Sequence, residues 1–403
     1  MIGSLLNAHA AKPAEKLIVL GATGSVGTTA LNFLEKNREI KLSAISIHSS
    51  VHKLHEIFSR FDVRNVAITD ESVYDSSIEK LKRNFSHVSY FRGESGVLEM
   101  IESSDADTVL TAVVGASGIR ATMTSLRLGK KIALANKETM VTAGPAICEF
   151  IKNASVKPVI IPVDSEHNAL FQLIHGISEN HIERMILTAS GGPFRDMTPE
   201  EIQKVTLKEV LDHPTWNMGP KITVDSAGMI NKGLEIIEAH HLFSIPYDML
   251  DVLVHKRSYI HAMVKTRDGG FLMAGSSPDM VFPIAHALLF PEPVKKTHDA
   301  ASDPDTWPSL EFQKVDRARY PGFSLALAAG GAGGTAPAIF NASNEIAVGR
   351  FLAGNIEFTD IPRLIEMVME KIPVEYGTDL ELFTDADLRA RNLTEDQVSI
   401  LMR

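Results

Sequence analysis

Between Met218 and Glu235 the chain reads MGPKITVDSAGMINKGLE, setting two lysines, a serine, an asparagine and a glutamate among small side chains. If this run is helical, Asn231 and Lys232 lie one turn before Glu235 and all three can face one cavity. Asn231 and Lys232 suit a phosphate, and Glu235 suits a hard cation. A solvated helix face carrying a Lys–Glu pair would read the same way. More carboxylates come earlier, in Asp164-Ser165-Glu166-His167, directly after the apolar Val159–Val163. In extended chain, residues two apart share a face, so Asp164 and Glu166 can reach one Mg²⁺ or Mn²⁺. Acids at the start of a helix are the competing explanation.

Two loops carry complementary chemistry. Ala189-Ser190-Gly191-Gly192-Pro193-Phe194-Arg195 is rich in backbone N–H groups and suits an anion. His213-Pro-Thr-Trp216-Asn-Met218-Gly219 places a tryptophan beside a histidine between Pro214 and Gly219. Such a loop can close over a ligand as a lid, or its Trp can simply fill a groove.

These groups need a scaffold, and the chain supplies one from its start. Leu17–Leu20 is a short apolar strand, Gly21-Ala-Thr23-Gly24-Ser25-Val26-Gly27 follows, and Thr28–Glu35 reads as helix. Strand, glycine loop and helix form a pyrophosphate cradle, with backbone free to approach and a helix N-terminus supplying donors. A second strand, Lys41–His48, ends in Ile47-His48-Ser49-Ser50 with no acid to hold ribose hydroxyls, which permits a 2′-phosphate. Strands at Asn65–Thr69, Asp107–Val114, Lys131–Ala135 and Val159–Val163, with helical stretches between, predict a parallel sheet covered on both faces. The strand at 131–135 runs into Asn136-Lys137-Glu138, at the edge where open α/β sheets bind ligands, although Asn136 could equally cap the helix of Thr139–Ile151.

The rest of the chain reads as a second and a third unit. A strand at Arg184–Thr188, a helix at Thr198–Leu211, a hairpin of Tyr259–Lys265 with Gly270–Ala274 and a helix through Ala285–Leu289 follow in order. Pro, Asp and Lys dominate from about Phe290 to Pro321, which reads as a connection. Ser324–Arg350 and Asp360–Lys371 read as helices, interrupted at Gly330–Gly334. The expected division is a Rossmann-type domain at 1–164, a central α+β domain at 165–290 with a lid at 212–220, a linker at 291–321 and a helical domain at 322–403.

Composition narrows the function classes. At 403 residues the chain is too long for one ordinary core. A net charge of −10 argues against nucleic acid or an anionic membrane as partner. A lone Cys148 excludes an internal disulfide framework and a cysteine metal cluster. The N-terminal stretch lacks the pattern of a signal peptide, and no apolar run is long enough to span a bilayer, so a cytoplasmic protein is expected.

GATGSVG, ANKE (135–138), VDSEHNALFQ (163–172), SGGPFR (190–195), the run from His213 to Glu235 and NASNEIAV (341–348) together resemble the 1-deoxy-D-xylulose 5-phosphate reductoisomerase family. The motifs stand in the family's order along nearly the whole chain; ANKE, DSEH and the stretch to Glu235 are together highly specific, and the glycine loop is not. The resemblance implies metal-dependent rearrangement of deoxyxylulose phosphate and NADPH reduction to 2-C-methyl-D-erythritol 4-phosphate, by a homodimer. It implies one Mg²⁺, Mn²⁺ or Co²⁺ on Asp164, Glu166 and Glu235, with Lys137 and His213 also in catalytic roles. Substrate phosphate would meet Ser190, Ser226, Asn231, Lys232 and His213. Ser165 and Lys137 would face the hydroxyl end, under Trp216 and Met218. Cofactor contacts would come from Gly21, Thr23, Gly24, Ser25, Val26 and Gly27, from His48, Ser49 and Ser50, and from Asn136, Glu138 and Gly219.

Two positions depart from the family pattern. Ala189 stands where many members carry glycine, and the Ile47–Ser50 turn lacks the basic residue some members offer to a 2′-phosphate. Two other classes compete. A semialdehyde-type dehydrogenase would need a nucleophilic cysteine, but Cys148 lies in AICEF on a packed helix. A nucleotide-sensing module without chemistry would show gaps among the acidic and phosphate-binding positions, and none is present.

Overall fold

The computed structural model describes residues 6–216, 218–294, 305 and 307–401; the chain ends 1–5 and 402–403, Asn217 of the expected lid, and 295–304 and 306 of the expected linker lie outside them. Seven strands build the first sheet: β1 (Lys16–Leu20), β2 (Lys41–Ile47), β3 (Asn65–Ile68), β4 (Ser89–Arg92), β5 (Thr108–Thr111), β6 (Lys131–Leu134) and β7 (Ile160–Pro162). They run parallel in the order β4-β3-β2-β1-β5-β6-β7. Helices α1 (Ser25–Lys36), α2 (Leu54–Arg60), α3 (Glu71–Asn84), α4 (Gly93–Ser103), α5 (Gly118–Arg127) and α6 (Lys137–Asn153) make the connections. Leu17, Ile18, Val19 and Leu20 are all fully buried, as a central strand covered on both faces requires. The alternation of strand and helix is the one expected. Strand β4 was not anticipated: it is an edge strand with no buried residue, so it carries no apolar signature.

The chain builds outward from β1 to β4, then returns to β5 on the other side of β1. That reversal opens a crevice at the carboxyl ends of β1 and β5, where such sheets bind ligands. Gly21 takes a left-handed φ of 81° there, and a Cβ on it would lie 2.4 Å from the Ala112 carbonyl oxygen. Glycine therefore lets the loop after β1 close onto the loop after β5.

The second unit contains α7 (Ser165–Ile174), β8 (Ile182–Ala189), α8 (Pro199–Ile202), α9 (Leu207–Leu211), α10 (Pro220–Ala227), α11 (Ile230–Phe243), β9 (Leu250–Val254), β10 (Ile260–Thr266), β11 (Phe271–Gly275), α12 (Val281–Leu289) and β12 (Gln313–Lys314). Its five-stranded sheet has the order β11-β10-β8-β9-β12, including the expected β10–β11 hairpin. The helix expected over Thr198–Leu211 is two short helices. Thr198 with Glu201 and Thr206 with Glu209 each form a capping box, and a second N-terminal box restarts the helix. The run from Met218 to Glu235 is likewise split into α10 and α11, at Gly228 and a left-handed Met229 with φ 57°. The expected linker is more than a connection: β12 pairs with β9, and Trp307 and Phe312 pack near Ile186, Ile260 and Met263. A two-residue strand is too short to show periodicity in sequence.

Helices α13 (Pro321–Ala332), α14 (Ala336–Leu352), α15 (Asp360–Lys371) and α16 (Leu380–Leu401) close the chain. The interruption after α13 falls at Gly333 and Gly334, both left-handed. Helix α16 falls within the expected helical domain, but the sequence did not place it, because its buried stripe mixes Phe383, Ala386, Ala390 and Val398 with polar Asp387, Thr394 and Gln397. Among the described residues, no helix is long and apolar enough to cross a membrane.

Candidate active site

Two helices deliver three carboxylates to one point. Asp164 caps α7 by accepting from the Glu166 N–H at 3.2 Å, Glu166 lies in the first turn of that helix, and Glu235 projects from α11. One oxygen from each lies within 4.8 Å of the others. Two ammonium groups fill the space between them. Lys137 Nζ, from the start of α6, reaches Asp164 Oδ2 at 2.7 Å and Glu235 Oε1 and Asn231 Oδ1 at 2.9 Å. Lys232 Nζ meets Glu166 Oε1 at 2.7 Å and also pairs with Glu235. Three negative and two positive side chains thus share a pocket in which Lys232 is 4% and Glu235 1% exposed.

Burial there opposes charge, and the partners decide the outcome. Burial would lower both lysines, yet the adjoining carboxylates hold each above its ordinary value, so both stay cationic. Burial would raise Asp164, but Lys137, His167 and Lys232 keep it well below the usual carboxylate range. Glu235 is pushed up by burial and by the Asp164 charge, which the two lysines only partly offset. A hard divalent cation would relieve that repulsion directly. The three-carboxylate oxygen set fits Mg²⁺ or Mn²⁺ chemistry.

The anion loop and the lid meet beside these groups. Gly192 is left-handed with φ 67°, and a Cβ there would lie 2.6 Å from the Ser226 carbonyl oxygen, so glycine lets the loop after β8 lie against α10. Ser190 Oγ accepts from the Gly192 N–H at 3.2 Å and lies 3.0 Å from His213 Nε2. His213 Nδ1 accepts from the N–H groups of Thr215 and Trp216 at 3.2 and 2.9 Å, so Nε2 carries the proton and donates to Ser190. Burial and the nearby Arg195 charge push His213 down to about 4. Ala189, the departure from the family pattern, is the last residue of β8 and pairs with Val254 in regular extended backbone, where its methyl needs no special conformation.

A cavity of about 160 Å³ joins these parts. Lys137, Asp164, Ser165, Glu166, Ser190, Trp216, Met218, Gly219, Ser226, Asn231, Lys232 and Glu235 all line it, as do Ser25 and Val26 at the start of α1. Beyond α1 lies a wider cleft of about 620 Å³, lined by Gly21, Thr23, Gly24 and His48 together with Thr69 and Arg120. Gly27 packs beneath the same loop, where a Cβ would lie 2.3 Å from the Gly21 carbonyl oxygen. Ser49 is exposed and Ser50 half-buried in the turn after His48. Asn136 and Glu138 line neither space. Asn136 Nδ2 donates to the Val113 and Gly115 carbonyls at 3.0 Å, and Glu138 Oε1 accepts from Lys221 Nζ at 2.8 Å.

Several supporting residues escaped the sequence reading. His167 Nδ1 lies 3.0 Å from Glu238 Oε2 and 3.5 Å from Asp164 Oδ1, while Nε2 meets the Glu235 carbonyl at 2.9 Å. Burial would lower this histidine, but Glu238 and Asp164 push it up to about 9. The signal was present: His167 and Glu238 each stand three residues, one helical turn, beyond a metal-site carboxylate. Arg195 donates to the Ser190 and Lys256 carbonyls at 3.0 and 3.1 Å and braces the anion loop. Lys221 joins Glu138 to Asp225, whose carboxylate accepts from Asn344 at 2.9 Å, tying the NASNEIAV segment of α14 to α10.

Three family models match the chain: 1-deoxy-D-xylulose 5-phosphate reductoisomerase over residues 17–144, its C-terminal domain over 160–243, and the DXP reductoisomerase C-terminal domain over 276–393. A 1-deoxy-D-xylulose 5-phosphate reductoisomerase of Leptospira borgpetersenii serovar Hardjo-bovis is 46% identical over 374 residues, covering 93% of this chain and 95% of that protein. A crystal structure of DOX-P reductoisomerase in complex with NADPH, fosmidomycin and magnesium superposes with a TM-score of 0.91 at 33% identity, covering 96% and 99% of the two chains. The Zymomonas mobilis enzyme in complex with NADPH does so with a TM-score of 0.85 at 36% identity, covering 95% and 99%.

Proposed function

The chain belongs to the 1-deoxy-D-xylulose 5-phosphate reductoisomerase family, and from that membership we propose how its residues divide the work. It is an NADPH-dependent enzyme that converts 1-deoxy-D-xylulose 5-phosphate to 2-C-methyl-D-erythritol 4-phosphate, a step of non-mevalonate isoprenoid precursor synthesis, with NADPH and a divalent cation as cofactors. Asp164, Glu166 and Glu235 hold the cation, Mg²⁺ or, on the same oxygens, Mn²⁺ or Co²⁺. When bound, the cation supplies Lewis acidity at the substrate's ketone and neighbouring hydroxyl oxygens.

Lys137, cationic and already in the pocket, stabilises negative charge that develops on oxygen there. Ser165 orients the hydroxyl end of the substrate. Ser190, Ser226, Asn231 and Lys232 take the phosphate, with His213 donating from the lid, so that binding energy at the remote group orients the reacting end. Trp216 and Met218 exclude water while carbon–carbon bonds are open, and Gly219, lining the same cavity as Ser25 and Val26 at the start of α1, contacts the cofactor.

Gly21, Thr23, Gly24, Ser25, Val26 and Gly27 cradle the NADPH pyrophosphate, while His48, Ser49 and Ser50 face its ribose. Asn136 and Glu138 serve the cofactor indirectly, by fixing the loop after β5 and the start of α6. The domains follow the division 1–164, 165–290 and 322–403, with β12 of the 291–321 connection counted in the central sheet. The working form is a cytoplasmic homodimer. The edge of the central sheet supports the dimer: among the described residues β11 pairs only with β10, and its Phe271, Leu272 and Met273 are 51%, 39% and 48% exposed.

The single observation behind this reading is one cavity that gathers the carboxylates, the lysines and the phosphate-type donors beside the start of α1. The test follows NADPH absorbance with purified protein, deoxyxylulose phosphate and Mg²⁺, with and without EDTA. Oxidation that requires both sugar phosphate and metal is expected; oxidation indifferent to EDTA would remove the metal from the reading.

A further inference from the structure

NADPH differs from NADH by one phosphate on the 2′ oxygen of the adenosine ribose. In a Rossmann unit that group lies near the carboxyl end of the second strand, where a basic residue accommodates it. Here β2 runs into Ile47-His48-Ser49-Ser50, which holds neither an acid for free ribose hydroxyls nor a lysine or arginine. In a chain of net charge −10, a dianion at this edge needs a local cation.

Lys53 stands where one can be supplied. It ends the short 3₁₀ turn Val51–Lys53 that follows the strand. Its side chain turns back towards the glycine loop, and Nζ donates at 3.3 Å to the carbonyl of Thr23, a residue that lines the cleft. The ammonium therefore bridges the two segments that flank an adenosine ribose, the glycine loop and the end of β2. A contact of that length to a neutral carbonyl is weak for a charged donor, and an ammonium has three N–H groups, so two remain for an anion. His48 shares the rim, with Nδ1 held 2.9 Å from Thr69 Oγ1. Arg120 also lines the cleft, but from α5, beside Val113, Val114 and Ser117 on the β5 side.

We infer that Lys53, one turn beyond the strand end, recognises the cofactor's 2′-phosphate and sets the preference for NADPH over NADH. The inference rests on the cofactor cleft assigned above. It also explains how this chain dispenses with a basic residue in the turn itself.

Calorimetric titration of the full-length protein with 2′,5′-ADP and with 5′-AMP isolates this contact, since neither probe carries nicotinamide or can react. Loss of one charge-assisted contact predicts that Lys53→Ala binds 2′,5′-ADP at least about 10-fold more weakly. 5′-AMP binding should stay within about twofold, Lys53→Arg should recover most of the loss, and the salt dependence of 2′,5′-ADP binding should flatten. Lys53 is exposed, so circular dichroism should show an unchanged fold. Equal weakening of both probes, no weakening, or a loss that appears in Arg120→Ala instead would overturn the inference. If the unaltered protein binds neither NADPH nor 2′,5′-ADP, the cleft assignment falls and the role of Lys53 falls with it.

Discussion

The substrate cavity and the cofactor cleft meet at the start of α1, yet they are built on opposite plans. The cavity is small, about 160 Å³, and its walls carry buried charges: three carboxylates, two lysines and a histidine-anchored lid. The cleft is about 620 Å³, and glycine backbone, apolar side chains and helix ends form most of its wall. Charges taken out of water are stable only in fixed mutual geometry, so each side chain in the cavity constrains its neighbours. A backbone cradle makes few such demands, because any sequence that permits the turn can build it. Substitutions should therefore be severe in the cavity and mild along the backbone cradle, with the charged contact of Lys53 the exception on the cofactor side.

The largest effect should follow Glu235→Gln. Volume is kept, but one carboxylate is lost from a set that balances two buried lysines and the cation. A fall in kcat of about 10³-fold, ~4 kcal/mol in the barrier, is expected with NADPH affinity unchanged. Steady-state kinetics and NADPH fluorescence titration check both halves; a loss under tenfold would break the contrast. Ser226→Ala should act next, raising KM for the sugar phosphate about 10-fold through a lost hydrogen bond to a charged group. On the cleft side, His48→Ala should change KM for NADPH by no more than about threefold, the scale of one neutral hydrogen bond.

Protonation sharpens the same contrast. The folded value of His213, about 4, lies below the ordinary 6.5, so the unfolded chain takes up the proton first. Its contribution to stability is complete above about pH 6.5 and is lost as pH falls towards 4. Protonated Nδ1 can no longer accept from Thr215 and Trp216. Amide exchange over 212–219, corrected for intrinsic rates, should accelerate between pH 7 and 4.5 while exchange at Gly21–Gly27 stays level. Equal acceleration in both segments would remove His213 as the cause.

The same contrast explains what the sequence disclosed. Asp164, Glu166, Lys232 and Glu235 could be singled out because side-chain chemistry is written as residue type and spacing, and the fold brings all four into one pocket. Strands β1 to β3 and β5 to β7 were legible as apolar runs. Edge strand β4, the two-residue β12 and α16 were not: the strands are too exposed or too short to show a period, and polar Asp387, Thr394 and Gln397 interrupt the buried stripe of α16. The breaks between α8 and α9 and between α10 and α11 hinge on capping boxes and on a left-handed Met229, which propensity averaged over a window conceals. Spacing set His167 and Glu238 each one turn beyond a metal-site carboxylate, and the fold adds that the two meet across helices distant in sequence, with His167 3.5 Å from Asp164.

That bracing pair also supplies the sharpest rival to the proposed cation site, since Asp164, His167 and Glu238 form a second, deeper group of possible ligands. Titrating Mn²⁺ into the protein and following the free ion by electron paramagnetic resonance distinguishes the two. One ion per chain is predicted, abolished by Glu235→Gln and retained by Glu238→Gln. Retention in Glu235→Gln together with loss in Glu238→Gln would contradict the assignment and move the cation to the deeper group.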